Sequence, residues 1–236
     1  NPLILLAPQM GIDTRHRTSY LDAMTSPAGR LRSLGRVLFA VPLLAAAAPS
    51  EIQLTARDEA DIARIESYLN GIGTMDSRFV QLSANGIAEG RIYLSRPRDL
   101  RIEYAPPVPI LMVASGRLLM YYDSKLQQTS FLPVTRTPAH FLLRERVDLR
   151  DGLTITGFAR DPSSLRVTVV DTEDPDAGSI TLEFTDDPIR LVGWRVVDPQ
   201  NQVVDVALVG ARFGVELDDD LFSLVDPRLR TGIERD

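Results

Sequence analysis

The sequence predicts a mainly β protein of the α+β class, built as an incomplete antiparallel β-barrel (a half-barrel) with a helical lid. Two observations predict it. Ten or eleven short segments alternate apolar and polar residues with a period of two, and turn residues separate them. Two other segments have helical spacing. So many consecutive hairpins curl rather than remain one flat sheet, so we expect the helices to cover the concave side.

One domain accounts for most of the chain. Its 236 residues are 44% hydrophobic and 25% charged, which suits a single sizeable core but leaves no room for two large domains. We divide the chain into an N-terminal extension with a removed signal peptide (1–48), a single domain (49–227) and a C-terminal tail (228–236).

The N-terminal region has the pattern of a secretory signal. Arg30, Arg32 and Arg36 precede an apolar run, residues 37–48, which ends in small residues suited to signal peptidase. This run is well short of the roughly 20 residues that span a bilayer as a helix, so a cleaved signal is favoured over a permanent anchor. The basic flank also disfavours an ordinary buried helix. We therefore expect a secreted protein.

Composition limits the possible anchors and partners. The chain has no cysteine, so a disulfide and a lipid-modified cysteine are both excluded. Loss of residues 1–48 removes five basic and two acidic residues, which changes the formal net charge from −6 to −9. This acidity argues against nucleic acid or anionic lipid headgroups as partners. We expect a soluble monomer.

The first helix is predicted just after the signal. Thr55 and Asp58 have the spacing of a capping box, and Gly71 and Gly73 mark the end of the helix. Apolar residues recur between them at three- and four-residue steps, at Ile62, Ile65, Leu69 and Ile72. Such a one-faced helix must lie on another surface.

Strands follow in two groups on either side of a second predicted helix. The alternating segments are residues 78–83, 90–96, 99–104, 109–115, 117–123, 152–160, 164–171, 179–186, 190–198 and 202–209. Between the groups, the stretch TPAHFLLRE (residues 137–145) predicts a short helix, with Thr137 as its cap and Pro138 in its first turn.

The stretch GRIYLSRP (residues 90–97) places an arginine on an apolar face. Ile92, Leu94 and Arg96 share one side of the predicted strand. A permanent cation beside aliphatic side chains needs either water at the strand end or oxygen acceptors nearby. The residues alone leave both possibilities open.

Few residues of the expected domain suit catalysis or metal binding. The expected domain holds one histidine, His140, and a lone histidine beside an aromatic residue is more often packed or exposed than catalytic. Zinc would have one histidine and no thiol. The acidic stretches 171–176 and 218–220 lack the spacing and glycine of a calcium loop. We predict no enzyme, no metal and no cofactor.

Three methionines suit an adaptable apolar pocket on the curved sheet. They are Met75, Met112 and Met120, and their flexible side chains adjust to irregular ligands. Filling an ordinary core is at least as compatible with each of them. The sequence pattern therefore indicates apolar surface under a cover, which suits a binding protein.

Six segments occur in a characteristic order. They are SRFVQ (77–81), GRIYLSRPRDLRIEY (90–104), LMVASGRLLMYYD (111–123), TPAHFLL (137–143), GWRVVD (193–198) and LFSL (221–224). On these segments, from about Leu54 to Pro227, the sequence resembles the LolA family, the periplasmic carriers of outer-membrane lipoproteins in Gram-negative bacteria. The resemblance implies an incomplete antiparallel barrel with a helical lid.

The resemblance also implies roles for single residues. Arg96 matches the family arginine that hydrogen-bonds from the barrel to the lid when the cavity is empty, which would make it a lid latch. We expect a hollow wide enough for acyl chains, lined by Leu69, Phe79, Ile92, Leu94, Leu100, Ile102, Met112, Phe141 and Leu142. Leu100 and Ile102 stand where better-known members have bulky aromatic residues, so acyl-chain preference would differ.

By the same resemblance, the protein would be a periplasmic chaperone that carries lipoproteins from the inner to the outer membrane. Its partners would be acylated lipoproteins, an inner-membrane ABC transporter complex as donor and an outer-membrane lipoprotein acceptor. A signalling module that senses lipids or lipoproteins with the same fold is the alternative.

Overall fold

The computed structural model describes residues 52–137, 140 and 142–227. Within these residues it contains one α-helix, α1 (Ala56–Gly71), and eleven strands. The strands are β1 (Thr74–Ser83), β2 (Gly86–Ser95), β3 (Asp99–Tyr104), β4 (Ile110–Ser115), β5 (Leu118–Asp123), β6 (Gln128–Pro133), β7 (Leu153–Asp161), β8 (Ser164–Asp171), β9 (Ser179–Thr185), β10 (Arg190–Val197) and β11 (Val203–Phe213). The predicted extension and signal peptide, the tail and Phe141 lie outside the described residues.

Helix α1 forms as its sequence predicts. The Thr55 hydroxyl accepts a hydrogen bond from the backbone N–H of Asp58 at 3.3 Å, and the Asp58 carboxylate accepts one from the N–H of Thr55 at 3.0 Å. This capping box satisfies amide groups that the first turn leaves unpaired. Ile62, Ile65 and Leu69 are fully buried against the sheet, so the predicted apolar face of the helix is confirmed.

All eleven strands belong to one open antiparallel sheet. Their order is β6-β5-β4-β3-β2-β1-β11-β10-β9-β8-β7, so every pair except β1 and β11 consists of neighbours along the chain. The two ends of the sheet are β6 and β7, which do not pair with each other. The predicted fold class, an incomplete antiparallel barrel with a helical cover, is therefore confirmed.

Strand β6 was not predicted, because it does not show the alternation of a half-buried strand. Its residues, QTSFLP, have intermediate or exposed side chains throughout, and Phe131 is exposed. As an edge strand it has one neighbour, β5, and little surface to bury. The observed strand count, eleven, is the upper of the two that the sequence predicts.

The second predicted helix, residues 137–145, is seen as a 3-10 turn rather than an α-helix in the part of that stretch that is described, since the His140 N–H donates to the Thr137 carbonyl at 3.0 Å. Thr137 ends a 3-10 helix, Val134–Arg136, instead of beginning an α-helix, and its hydroxyl donates to the Val134 carbonyl at 2.8 Å. Leu142 and Leu143 lie in a turn. This segment joins the two edge strands and buries Leu143 in the core, so tertiary contacts override the local pattern.

The sheet carries apolar clusters on both faces. The inner cluster contains the buried residues of α1 and of the concave face, whereas the outer cluster consists of Val113, Met120 and Phe222. Neighbours in β4 divide between the two, with Met112 inside and Val113 outside. Met75 and Met112 therefore lie where a pocket was expected, but the expectation for Met120 is wrong, since it pairs with Val113 on the convex side.

No helix within the described ranges combines the length and the hydropathy that crossing a bilayer requires.

Candidate ligand-binding site

Arg96 lies just beyond the end of β2 and reaches the two pieces of chain that cover the inner cluster. Its Nη1 donates to the carbonyl oxygens of Leu69 and, at 3.5 Å, of Ile72, at the end of α1. Its Nη2 donates to the carbonyl oxygens of Arg144 at 2.9 Å and Glu145 at 3.5 Å. One guanidinium therefore joins the sheet to α1 and to the β6–β7 connection, which we call the connecting segment (residues 134–152).

Backbone carbonyls are the acceptors that hold this cation. No carboxylate among the described residues forms an ion pair with Arg96, and its Nε, which is buried, has no hydrogen-bond partner there. Burial lowers the pKa of Arg96 from its usual value. The end of α1 partly offsets this penalty, because the carbonyl end of a helix favours positive charge. A guanidinium held in this way depends on α1 and the connecting segment staying in place.

A second set of polar contacts fastens the connecting segment to α1. The Asn70 amide makes two hydrogen bonds with the backbone of Val147, donating to its carbonyl oxygen and accepting from its N–H, both at 2.8 Å. The Glu66 carboxylate accepts from the N–H of Leu149, also at 2.8 Å. Val147 and Leu149 are buried in the inner cluster beneath these bonds. Helix and segment together form the cover, which we call the lid.

The first half of α1 is attached to the sheet by charged groups. Asp61 is buried and accepts hydrogen bonds from Arg160 of β7 and from Arg64, whose guanidinium also reaches Asp186 in the β9–β10 turn. Burial alone would raise the pKa of Asp61, but the hydrogen bonds from Arg160 and Arg64 outweigh it, so the pKa is lowered. This half of the lid is therefore held by ion pairs, whereas the side chains of Arg96, Asn70 and Glu66 hold the other half through hydrogen bonds to backbone groups.

The predicted lining residues that are described all lie at the inner cluster. Leu142 packs against this cluster partly buried, and the other seven are at most 6% exposed: Leu69, Phe79, Ile92, Leu94, Leu100, Ile102 and Met112. Strand pairing brings them together, since Ile92 of β2 faces Ile102 of β3, which faces Met112 of β4. Phe141, the remaining predicted residue, lies outside the described residues.

A small void lies at the inner cluster, between residues that the structure describes. A void of about 10 Å³ lies between Phe79, Ile92 and Ile102, and it has room for about one water molecule. The described side chains of the inner cluster otherwise pack against one another under the lid.

Several residues of this site were not identified from the sequence. Asn70 and Glu66 lie outside the apolar positions that predicted the helix, and their partners lie 77 and 83 residues further along the chain. Gln81 shares the buried face of Phe79, but its polarity gave no sign of an interior position. His140 is half-buried in the connecting segment, and burial lowers its pKa.

A curved antiparallel sheet, an apolar concave face and a lid fastened by a half-buried guanidinium define a protein of the half-barrel-and-lid class. Residues 70–225 match the family described as outer membrane lipoprotein carrier protein LolA. The chain belongs to this family, as the sequence resemblance implied. The family is one of carrier proteins, and it gives no support to an enzymatic function.

Relatives of known sequence span most of the chain. An outer-membrane lipoprotein carrier protein of Methylococcus capsulatus is 26% identical over 203 residues, which cover 81% of this chain and 94% of the relative. An uncharacterized protein of Rickettsia prowazekii is 21% identical over 187 residues, covering 79% of this chain and 86% of that one. Among solved structures, a LolA superfamily protein from Nitrosomonas europaea aligns with a TM-score of 0.40 at 9% identity, over 72% of this chain and 98% of that one.

Proposed function

We propose that this protein is a periplasmic chaperone that binds the acyl chains of lipoproteins against its inner cluster and carries them from the inner to the outer membrane. The observation that carries the proposal is the environment of Arg96. Its guanidinium is held by four backbone carbonyl oxygens, two from α1 and two from the connecting segment. Lifting the lid breaks all of these bonds together.

The energetics explain why such a carrier is needed. Burial of acyl chains is worth about 0.8 kcal/mol per methylene group, so one long chain exposed to water costs on the order of 10 kcal/mol. An apolar concave face beneath a movable lid offers the chain an environment comparable to the membrane. A lipoprotein then crosses the aqueous space without energy consumption by the carrier.

The described conformation corresponds to the closed, empty form in this proposal. Each lid hydrogen bond contributes roughly 0.5–1.5 kcal/mol net, because water replaces it on opening. The polar bonds at Arg96 and Asn70 therefore favour closure by a few kcal/mol, and an acyl ligand favours opening. Two states that differ so little in free energy make both uptake and onward transfer possible.

The donor, the acceptor and the oligomeric state follow from the same proposal. An inner-membrane ABC transporter complex would load the carrier, and an outer-membrane lipoprotein acceptor would unload it. The carrier would act as a monomer.

The variant Arg96→Leu tests the latch. We expect it to fold, because leucine replaces a cation that burial penalises, but to bind a synthetic triacylated lipopeptide more tightly and to pass it to acceptor vesicles more slowly than the wild type does. Fluorescence of a labelled lipopeptide measures uptake and transfer, and circular dichroism checks the fold. Arg117→Leu, at an exposed arginine in the β4–β5 turn, is the matched control and should behave as the wild type.

Three outcomes would contradict the proposal. Normal transfer by Arg96→Leu would remove the latch, whereas absence of lipopeptide binding by the wild type would remove the carrier. The third outcome concerns the signalling alternative. Immunoprecipitation from periplasm should recover acylated lipoproteins, and repeated recovery of a transcriptional regulator instead would favour a sensing module.

A further inference from the structure

Gln81 is a polar side chain at the centre of the apolar inner face. It is 1% exposed, and β-sheet register places it between Ala88 of β2 and Val206 of β11. The Tyr104 hydroxyl donates to its Oε1 at 2.7 Å. Its Nε2 is buried and has no hydrogen-bond partner among the described residues. The interior thus holds an oriented amide whose N–H donor has no acceptor among the described residues.

The amide lies at the small void between the strands of the inner face. Gln81 and Tyr104 contribute to the wall of this void, and its other residues are apolar: Phe79, Ile92, Ile102, Trp194 and Val206. The edge of the Phe79 ring meets the Tyr104 ring at 5.1 Å between centroids, which fixes the position of the tyrosine and, through its hydroxyl, the amide. A ligand that opened this space would meet the Gln81 amide and the Tyr104 hydroxyl, which are bonded to each other, in an otherwise mostly apolar surround.

A buried donor without an acceptor is unfavourable, so its presence in a binding interior has a chemical consequence. It disfavours a pure hydrocarbon, which cannot pair with it, relative to a ligand that brings an oxygen acceptor. The carbonyl oxygen of an acyl ester or acyl amide is such an acceptor, and it is attached directly to the apolar chain. The protein discriminates between the two ligands because the pure hydrocarbon leaves the Gln81 side-chain N–H unpaired.

We propose that the Gln81 side-chain amide, held by Tyr104, donates a hydrogen bond to the carbonyl oxygen of an acyl ester or amide of the bound ligand. This inference rests on the proposed function, since the interior must open for acyl chains to reach Gln81. It adds a polar recognition point to an apolar site. The protein then selects acyl-linked lipids over ether-linked lipids with the same chains.

A pair of probes that differ only in the carbonyl groups tests the inference. A diacyl ester lipid and its dialkyl ether analogue of equal chain length compete with a fluorescent fatty acid for the wild-type protein. We expect the ester to bind about threefold to tenfold more tightly, the effect of one buried hydrogen bond. Gln81→Leu, which is similar in size, should bind both probes with the affinity that the wild type has for the ether.

A double variant protects the test against misfolding. Gln81→Leu combined with Tyr104→Phe removes both members of the buried pair, so that neither loses its partner to the other's substitution. The double variant should show the same loss of ester preference. An equal loss of affinity for both probes in these variants would assign Gln81 a purely structural role and overturn the inference.

The remaining outcomes separate this inference from the proposed function. Equal binding of ester and ether by the wild type would overturn the inference, for example if a water molecule stays on Gln81, and would leave the carrier function standing. An ester preference that survives in Gln81→Leu would place the recognition elsewhere and also overturn it. Failure of both probes to bind would overturn the inference together with the carrier function.

Discussion

Gly90 is the residue at which the sheet makes room for two aromatic rings. In the register of β1, β2 and β3 it lies between Phe79 and Tyr104, whose rings meet edge to face at 5.1 Å. A Cβ at this position would overlap the backbone carbonyl oxygen of Glu103 and lie 2.6 Å from the Phe79 ring. The packing of Phe79 against Tyr104 therefore requires a residue without a Cβ at position 90.

Gly90→Ala should consequently destabilise the protein. The Phe79 ring cannot move aside without displacing its neighbours, and the Glu103 oxygen belongs to a paired strand, so we expect the free energy of unfolding to fall by about 1–3 kcal/mol. Urea denaturation followed by the fluorescence of Trp194 measures the loss. A variant as stable as the wild type would show that the ring contact is not closely packed.

Gly71 provides the matched control. It is the last residue of α1, and a Cβ there would meet no heavy atom within 4 Å. Alanine has a higher helix propensity than glycine and a smaller loss of backbone entropy on folding, so Gly71→Ala should be neutral or stabilising by up to about 1 kcal/mol. Destabilisation by this substitution would show that glycine is needed where α1 ends.

Arg96 and Gln81 differ in how far the periodicity of the sequence could predict their roles. Arg96 was conspicuous because it ends an apolar row, and the family resemblance predicted carbonyl partners in a lid, which the structure places at Leu69 and Arg144. Gln81 gave no such signal, since a polar residue at an inward position looks like an irregularity in the strand. Its meaning depends on Tyr104, which another strand brings to it.

At the scale of elements, the lid depends on contacts between α1 and the connecting segment. Asn70 supplies two of them through one amide group, both to the backbone of Val147. Asn70→Ala should lower the free energy of unfolding by about 1–2 kcal/mol, because two partly buried backbone groups lose their partners. Amide hydrogen exchange should accelerate at Val147, while the central strands β1 and β2 keep their protection.

A surface ion pair between the same two elements is the control. Arg150 of the connecting segment donates to Glu59 of α1 at 2.6 Å, with both side chains about half exposed. Solvent screening makes such pairs weak, so Arg150→Ala should change stability by less than about 1 kcal/mol and leave the exchange rate at Val147 unaltered. Equal effects of the two substitutions would mean that the Asn70 contacts have no special role in closure.

Elements with a regular pattern were predictable from the sequence, and elements defined by their neighbours were not. Helix α1 and the strands of both groups bury alternate or helical faces, so hydrophobic spacing identified them within a few residues. The structures of strand β6 and of the connecting segment depend on their position at the edges of the sheet. The segment has helix-like spacing, yet it must join β6 to β7 while burying Leu143 and Val147. Its described residues form short 3-10 helices, turns and bends instead of an α-helix.

For the whole molecule, buried carboxylates connect distant parts of the fold. Asp61 links α1 to β7, whereas Asp76 of β1 accepts hydrogen bonds from Arg91 of β2 and Arg212 of β11. The Asp76 contacts therefore lie where the N-terminal hairpins join the C-terminal strands. Hydrogen bonds from Arg91, with those from Arg212, lower the pKa of Asp76 despite its burial.

These shifts predict that acid destabilises the whole fold. The ordinary pKa of an aspartate is 3.8, and both Asp61 and Asp76 have lower values in the folded protein. The unfolded chain therefore binds more protons as the pH falls through this region, so the stabilisation is complete above about pH 5 and is lost progressively below it. Urea midpoints should stay constant from pH 7 to about pH 5 and decline from there to pH 3.

The variant Asp76→Asn identifies the source of this dependence. It should be less stable than the wild type at pH 7, because the amide does not attract Arg91 and Arg212 as a carboxylate does. The difference should shrink as the pH falls, since the wild type then protonates the carboxylate that the variant lacks. Glu173→Gln, at an exposed position after β8, should follow the wild-type curve. Parallel curves for wild type and Asp76→Asn would show that acid acts elsewhere than at the junction of β1, β2 and β11.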